Sequence, residues 1–159
     1  MKKLLFCILL LCGCTAKPLP LPQQSIRPIQ AQFGLNFAAA GMTIPLQGAI
    51  QMAEQEGSLG VIFPHGRTLG ICTYHDQSME CTPAESASYE GMQTNFMLRQ
   101  IGLAVYRLLP SLTQQVAEDT LDKEWLVYWK ETDSGWKAKY RDLPDQVLIE
   151  IYFTEIFPQ

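Results

Sequence analysis

Two cysteines in the middle of the chain, Cys72 and Cys81, are placed where they could form a covalent cross-link. Asp76 and Gln77, a turn-prone pair, lie midway between them, so a hairpin with a two-residue loop sets the cysteines directly opposite each other. Counting outward from the loop makes them a non-hydrogen-bonded pair, whose Cα atoms lie roughly 4.5–5.5 Å apart, within reach of a disulfide. A four-residue loop would keep the same opposition but reverse the pair type, which would make bridging harder. The spacing therefore favours a disulfide. Two buried free thiols are the alternative, and a metal site is disfavoured because no cluster of His or carboxylate residues accompanies the pair.

Other side chains with catalytic potential are few. His65 lies in a Pro-His-Gly segment that indicates a surface turn, and His75 with Asp76 resembles half of a catalytic relay but falls at the tip of the predicted hairpin. Ser78, nearby, is too common a residue to indicate a nucleophile. The sequence also contains no phosphate-binding glycine loop, no Gly-x-Ser-x-Gly elbow and no metal-ligand cluster. We therefore predict a protein that is not an enzyme and has no catalytic residues, metal or other cofactor.

The N-terminus combines two lysines with an apolar run over residues 4–11, which is the pattern of a secretory signal. This run is much shorter than the roughly 20 residues that cross a bilayer. The sequence Leu-Cys-Gly-Cys that ends at Cys14 resembles the lipobox of bacterial lipoproteins. The resemblance implies that residues 1–13 are a signal peptide and that Cys14 is acylated, with palmitate among the attached chains. An ordinary signal peptide cut elsewhere is the alternative.

Removal of the signal peptide on export would change both the net charge of the chain and the number of its free cysteines. The 159-residue chain has a formal charge of −4, which falls to −6 once the two signal lysines are removed. An acidic protein without a basic run is a poor partner for nucleic acid or for anionic lipid, so we expect the acyl chains to hold it on the membrane, at about 0.8 kcal/mol per buried CH₂. With Cys14 acylated, only Cys72 and Cys81 remain free in a compartment that permits disulfides.

The rest of the chain divides into a spacer and one domain. Residues 14–29 are rich in proline and lack helical periodicity, which is typical of an extended spacer that holds a domain away from the membrane. Residues 30–159 then alternate apolar and polar side chains over short runs separated by turn residues. These runs predict two sets of antiparallel strands, at 30–37, 46–52, 59–63, 68–74 and 78–82, and after a helix at 125–130, 136–141 and 147–153.

A single helix separates the two sets of strands. Apolar residues from Met97 to Leu108 recur at helical spacing, while Arg99, Gln100 and Arg107 lie on the other side. Thr94 is suited to its start and Pro110 to its end. Gly102, in its interior, is either a point of close approach to another surface or a weak spot.

Large apolar and aromatic residues mark the inward positions of several predicted strands. They favour either an ordinary packed core or a cavity of lipid size inside a curved sheet. Both structures require large apolar side chains, so the pattern leaves the two alternatives open. The candidate cavity residues are Phe33, Leu35, Phe37, Trp125, Trp129, Trp136, Tyr140 and Phe153.

The order of lipobox, spacer, strands, helix and further strands resembles the LolA/LolB-like lipoproteins, and in particular an uncharacterised family of small bacterial lipoproteins with that fold. The resemblance is carried by residues 63–69, 74–76, 98–110 and 147–152. It implies a mainly β (α+β) fold, an incomplete antiparallel β-barrel with one main amphipathic helix on its concave face.

The same resemblance implies a function and a place in the cell. The expected function is non-enzymatic binding or transfer of a lipid or other acyl-bearing molecule in the periplasm. A structural or assembly lipoprotein with a filled core, acting through contacts with an unidentified protein partner, is the alternative. Thr15, in place of an aspartate after the lipidated cysteine, points to the inner leaflet of the outer membrane in a Gram-negative envelope.

Overall fold

The structure is a computed structural model. It describes residues 18–21, 23, 26–54, 56–85, 93–114, 120–121, 125–132, 135–142 and 146–158, with the side chains of 111–136, 140–142 and 158 excepted. The predicted signal peptide and Cys14 therefore lie outside the described residues. The elements are β1 (Leu19–Pro20), β2 (Ile29–Ala39), β3 (Met42–Ala53), β4 (Glu56–Ile62), β5 (Thr68–His75), β6 (Ser78–Pro83), α1 (Thr94–Gln114), β7 (Thr120–Leu121), β8 (Trp125–Thr132), β9 (Gly135–Asp142) and β10 (Val147–Pro158).

All of these strands belong to one antiparallel sheet, in the order β1-β6-β5-β4-β3-β2-β10-β9-β8-β7. Eight strands have six or more residues, while β1 and β7 have two each and form the edges. Two meanders, β2 to β6 and β7 to β10, are joined by the pairing of β2 with β10. Within the described residues the two edge strands do not pair with each other, so the sheet is open. The prediction of a mainly β, antiparallel and incomplete structure with one main helix is confirmed.

Alternation of side chains decides which face of the sheet is buried. In β2, Ile29, Ala31, Phe33, Leu35 and Phe37 are each at most 3 % exposed, whereas the residues between them face outward. Successive side chains of a strand point to opposite faces, so the period-two pattern in the sequence places one apolar face inward. The strands begin and end within a few residues of their predicted limits. β3 and β10 are longer than predicted, because their pairing with β2 continues past the apolar runs.

Helix α1 lies along β5 and inside a curve of the sheet. Leu98 packs beside Gly70 and Tyr106 stacks on Tyr74, with ring centroids 5.6 Å apart, so the helix axis follows the β5 strand. The same helix also contacts β2 and β10. Because β2 is three strands from β5, or about 14 Å at roughly 4.8 Å per strand, a flat sheet could not reach both sides of this helix. The sheet therefore curves around α1.

Burial of α1 is more complete than its amphipathic pattern indicates. Gln100, which the sequence places on the polar side, is only 9 % exposed. The half-exposed positions recur at Arg99, Leu103, Arg107 and Pro110 and form one narrow stripe. The fully buried residues are Met97, Leu98, Ile101, Ala104, Val105, Leu108 and Leu109.

Two local expectations from the sequence differ from the structure. Pro110 was expected to end the helix, but α1 continues to Gln114 with Pro110 inside it. A proline removes one backbone donor, and buried Leu108 and Leu109 hold the preceding turn in place. The proline-rich segment was expected to be a spacer ahead of the domain, yet Leu19 and Pro20 pair with β6 as β1.

Leu21 completes the docking of this N-terminal segment. Its backbone N–H donates to the carbonyl of Gln77 at 2.7 Å, and its side chain is 6 % exposed within the main core. Burying this leucine and pairing β1 with the edge of β6 removes apolar surface and backbone groups from water. Part of the spacer is therefore packed on the domain ahead of residue 30.

Candidate functional site

The β5–β6 hairpin places Cys72 opposite Cys81, and the two residues form a disulfide with an S–S distance of 2.02 Å. The loop contains two residues, Asp76 and Gln77, and Asp76 has a positive φ of 51°. The Cα atoms of Cys72 and Cys81 are 4.0 Å apart, which fits the closer, non-hydrogen-bonded type of antiparallel pair. The predicted register, loop length and disulfide are confirmed.

The disulfide faces inward against α1. The Leu98 carbonyl oxygen lies 3.5 Å from Sγ of Cys72 and 4.0 Å from Sγ of Cys81. Because a disulfide sulfur carries no hydrogen, these are packing contacts rather than hydrogen bonds. The bridge therefore helps to form the surface on which the helix rests.

Gly102 allows α1 to lie directly on this surface. A Cβ atom added at Gly102 would lie 2.6 Å from Sδ of Met79 and 2.9 Å from Sγ of Cys72. Both distances are shorter than nonbonded contacts permit, so only glycine fits without a shift of the helix or the hairpin. Of the two interpretations of this glycine from the sequence, close approach is confirmed.

Tyr74 anchors the same contact with a hydrogen bond. Its hydroxyl donates to the carbonyl of Gly102 at 2.9 Å, and its ring stacks on Tyr106 with an interplanar angle of 19°. The side chain is 2 % exposed. Burial, with a smaller contribution from Tyr106, raises the pKa of Tyr74 far above its usual value, so this hydroxyl stays protonated and remains a donor. Burial also raises the pKa of Tyr106.

The candidate cavity residues of β2 and β10 are brought together and packed. Phe33 and Phe153 meet edge to face with ring centroids 5.7 Å apart, and Phe33 also covers Gly48, where an added Cβ would come within 3 Å of its ring. Leu35 and Phe37 are 3 % and 0 % exposed in the same core. These four residues form a continuous apolar interior with α1 and β3.

The remaining candidates occupy β8 and β9, and their side chains lie outside what the structure describes. Their backbone register is defined. Trp136 pairs with Phe153, Tyr140 pairs with Ile149, and Trp129 pairs with Ala138, which is 0 % exposed. Paired residues of antiparallel strands share a face. Trp125, Trp129, Trp136 and Tyr140 therefore hold the register positions that continue the inward row of β10.

The histidine, aspartate and serine at the hairpin do not form a nucleophile–base pair. The His75 ring lies between two carboxylates, with Nδ1 3.1 Å from Glu56 and Nε2 3.4 Å from Asp76, and its side chain is 70 % exposed. The Ser78 hydroxyl donates to the backbone carbonyl of His75 at 2.9 Å, so it is directed away from the ring. His65 lies on the exposed turn after β4 and stacks on Phe63, which confirms the predicted surface turn.

Grooves on the surface of the described chain were not predicted from the sequence, and two of them concern the elements discussed above. The first, of about 530 Å³, crosses the outer face of β2, β3 and β4 where Gly34, Ala49 and Gly60 replace larger side chains. The second, of about 420 Å³, lies between β1 and the exposed stripe of α1, with Leu19 and Phe96 among its lining residues. The glycines at outward strand positions could have indicated the first groove from the sequence. The second depends on the docking of β1, which no local pattern indicates.

In the part of the chain that the structure describes, no three His, Cys, Asp or Glu residues are grouped closely enough to hold a metal ion. None of the described helices has the length and apolar character needed to cross a membrane.

Comparison with known proteins does not place the chain in a family. No model of a known protein family matches it, and no curated protein matches it.

Proposed function

We propose that this protein is a lipoprotein of the outer membrane, anchored in the inner leaflet by acylated Cys14, that binds or transfers an acyl-bearing molecule without catalysing a reaction. Its fold is proposed to be an incomplete β-barrel of the LolA/LolB type. The observation that supports binding is the register of β8 and β9, in which the positions of large aromatic residues align with the inward row of Phe153 and Ile149 on β10.

The site is best assigned to the β8–β10 side of the interior. On the β5–β6 side, Gly102 and Gly70 bring α1 into such close contact with the sheet that even a methyl group would not fit. Around β9 the register places Ala138, a small residue that is 0 % exposed, between the positions of Trp129 on β8 and Ile151 on β10. Acyl chains bind in concave apolar sites that need few polar contacts.

Ala138 offers a test of this assignment. In the mature chain secreted without its anchor, residues 15–159, Ala138→Phe should fill the site and weaken saturable binding of a fluorescent fatty acid. The melting temperature without ligand should change little, because the added ring occupies open volume. In the unsubstituted chain the same ligand should raise the melting temperature, since it binds the folded state alone. Thr73→Phe, on an exposed position of β5, is the matched control.

A structural or assembly lipoprotein with a filled core is the second candidate. It is favoured by the tight packing of the described interior, notably Phe33 on Gly48 and on Phe153. With a filled core, Ala138→Phe overpacks the interior and should lower stability by about 1–3 kcal/mol. Loss of stability combined with no fatty-acid binding by the unsubstituted chain would reject the carrier function in favour of this one.

A further inference from the structure

The distance between the proposed lipid anchor and the folded domain is short. Leu19 is fixed on β6 by pairing with Met79, and Leu21 follows it into the core. Cys14 is only five residues before Leu19 in the sequence. Five residues span at most about 18 Å when fully extended. An acylated Cys14 therefore keeps the β1 edge of the domain close to the bilayer surface.

The direction of β1 indicates which part of this edge is nearest. β1 runs antiparallel to β6, so Pro18 precedes Leu19 on the side of β6 that ends at Pro83. Helix α1 begins at the same end of the sheet, because Leu98 packs beside Gly70 while the later Tyr106 reaches Tyr74. The incoming chain thus approaches the N-terminal half of α1.

The surface found there has the composition of a membrane-facing helix. Phe96, Arg99, Leu103 and Arg107 are half-exposed and form what we call the α1 stripe. All of α1 contains two arginines and no acidic residue, although the whole chain carries a charge of −4. Arginine beside apolar side chains suits the headgroup boundary, where the guanidinium meets phosphate and the apolar groups enter the acyl region.

Three exposed acidic residues lie at the end of the sheet opposite the start of α1. Glu54, Glu56 and Asp76 are exposed at the β3–β4 and β5–β6 turns, where the C-terminal part of α1 lies. Glu85, by contrast, is exposed just after β6, at the end of the sheet where α1 begins, and Glu80 is exposed within β6. Exposed cations also occur on other elements of the described chain. The positive charge of α1 therefore favours, without alone imposing, an orientation with the stripe toward a negatively charged membrane.

From these observations we infer that the α1 stripe and the adjoining 420 Å³ groove face the membrane and contact anionic phospholipid headgroups. The inference rests on the proposed acylation of Cys14. The acyl chains supply the affinity, and Arg99 with its apolar neighbours sets the orientation.

The test uses the full lipidated protein in vesicles of phosphatidylcholine with phosphatidylglycerol, some carrying a spin-labelled lipid that quenches fluorescence at the surface. A fluorophore is attached to a cysteine introduced by Leu103→Cys in the stripe, or by Gln93→Cys as a second and more exposed site. Gln47→Cys, on the outer face of β3, is the control position. Quenching should be strong at positions 103 and 93 and weak at position 47.

Charge reversal identifies the contact. Arg99→Glu should abolish the difference in quenching between positions 103 and 47, whereas Arg27→Glu, the same change at another exposed arginine, should preserve it. Vesicles of phosphatidylcholine alone should also reduce the difference. If the protein floats with the vesicles but quenching is equal at all positions, the proposed orientation is overturned and the anchor stands. That result would be consistent with a stripe that binds protein. Protein that carries no acyl group and does not float would overturn the anchor and the orientation together.

Discussion

Replacing Gly102 with alanine tests whether α1 is held against the disulfide. Helix propensity alone predicts stabilisation, because alanine in a helix interior is favoured over glycine by about 0.8–1 kcal/mol. In this structure the new methyl group would lie 2.6 Å from Sδ of Met79 and 2.9 Å from Sγ of Cys72. The methionine can move, but the sulfur of Cys72 is fixed by its bond to Cys81.

The expected magnitude follows from the two ways of relieving the overlap. Overpacking costs about 1–3 kcal/mol if the helix stays in place. If the helix moves away, the 2.9 Å hydrogen bond from Tyr74 to the Gly102 carbonyl is stretched, and a buried hydroxyl without an acceptor costs about 1–3 kcal/mol. After the propensity gain is subtracted, we expect Gly102→Ala to lower the free energy of unfolding by up to about 2 kcal/mol.

The assay is equilibrium unfolding in urea, with the single variants and their double variant. Met79→Ala removes the nearest atom and should cost about 2–5 kcal/mol by itself, but less in the Gly102→Ala background, because the methyl group then occupies part of the vacated space. Leu103→Ala, at the half-exposed neighbouring position, controls for changes in the helix itself. A Gly102→Ala protein that is more stable by about 1 kcal/mol, with no coupling to Met79, would refute the close contact.

Three further predictions concern the hairpin and the anchor. Removing the disulfide with Cys72→Ala and Cys81→Ala should cost roughly 2–3 kcal/mol on the chain-entropy model, measured by urea unfolding; two freely alkylated thiols in the unsubstituted protein would contradict the bridge. The pKa of Tyr74 is raised in the folded state. The protonated hydroxyl therefore contributes fully to the free energy of unfolding below about pH 10, where the unfolded tyrosine titrates, and this contribution is lost as the pH rises further. Melting temperatures should therefore fall above that pH less steeply for Tyr74→Phe than for the unsubstituted protein, and parallel curves would argue against the buried hydroxyl. Cys14→Ala should leave the precursor uncleaved and without acyl label in envelope fractions; normal processing and membrane retention of this variant would end the anchor hypothesis.

The hairpin shows what local sequence could decide. Two turn-prone residues midway between Cys72 and Cys81 determined loop length, and loop length determined which residues oppose each other. Strand register within a hairpin depends on few residues close in sequence, so the disulfide could be derived from spacing. The same is true of β2, whose alternating side chains defined its buried face before any partner strand was known.

Contacts between distant segments could not be derived in this way. The pairing of Ile151 with Leu35 joins the two meanders across more than a hundred residues, and the docking of Leu21 beside Gln77 draws the spacer into the core. Proline-rich composition indicates an extended backbone, and an extended backbone can serve equally as a free spacer or as an edge strand. Which of the two forms depends on whether an unpaired edge and an apolar pocket lie within reach.

By itself the sequence determined the eight longer strands, helix α1, the hairpin disulfide and the prediction of an acylated N-terminus, because each depends on residues that are neighbours along the chain. Only the tertiary structure decided that the sheet curves around α1, that Gly102 is a contact with Met79 and Cys72, and that the helix continues through Pro110. A glycine or proline has the same local preferences wherever it occurs. The surface that packs against it determines whether those preferences weaken an element or allow it to fit.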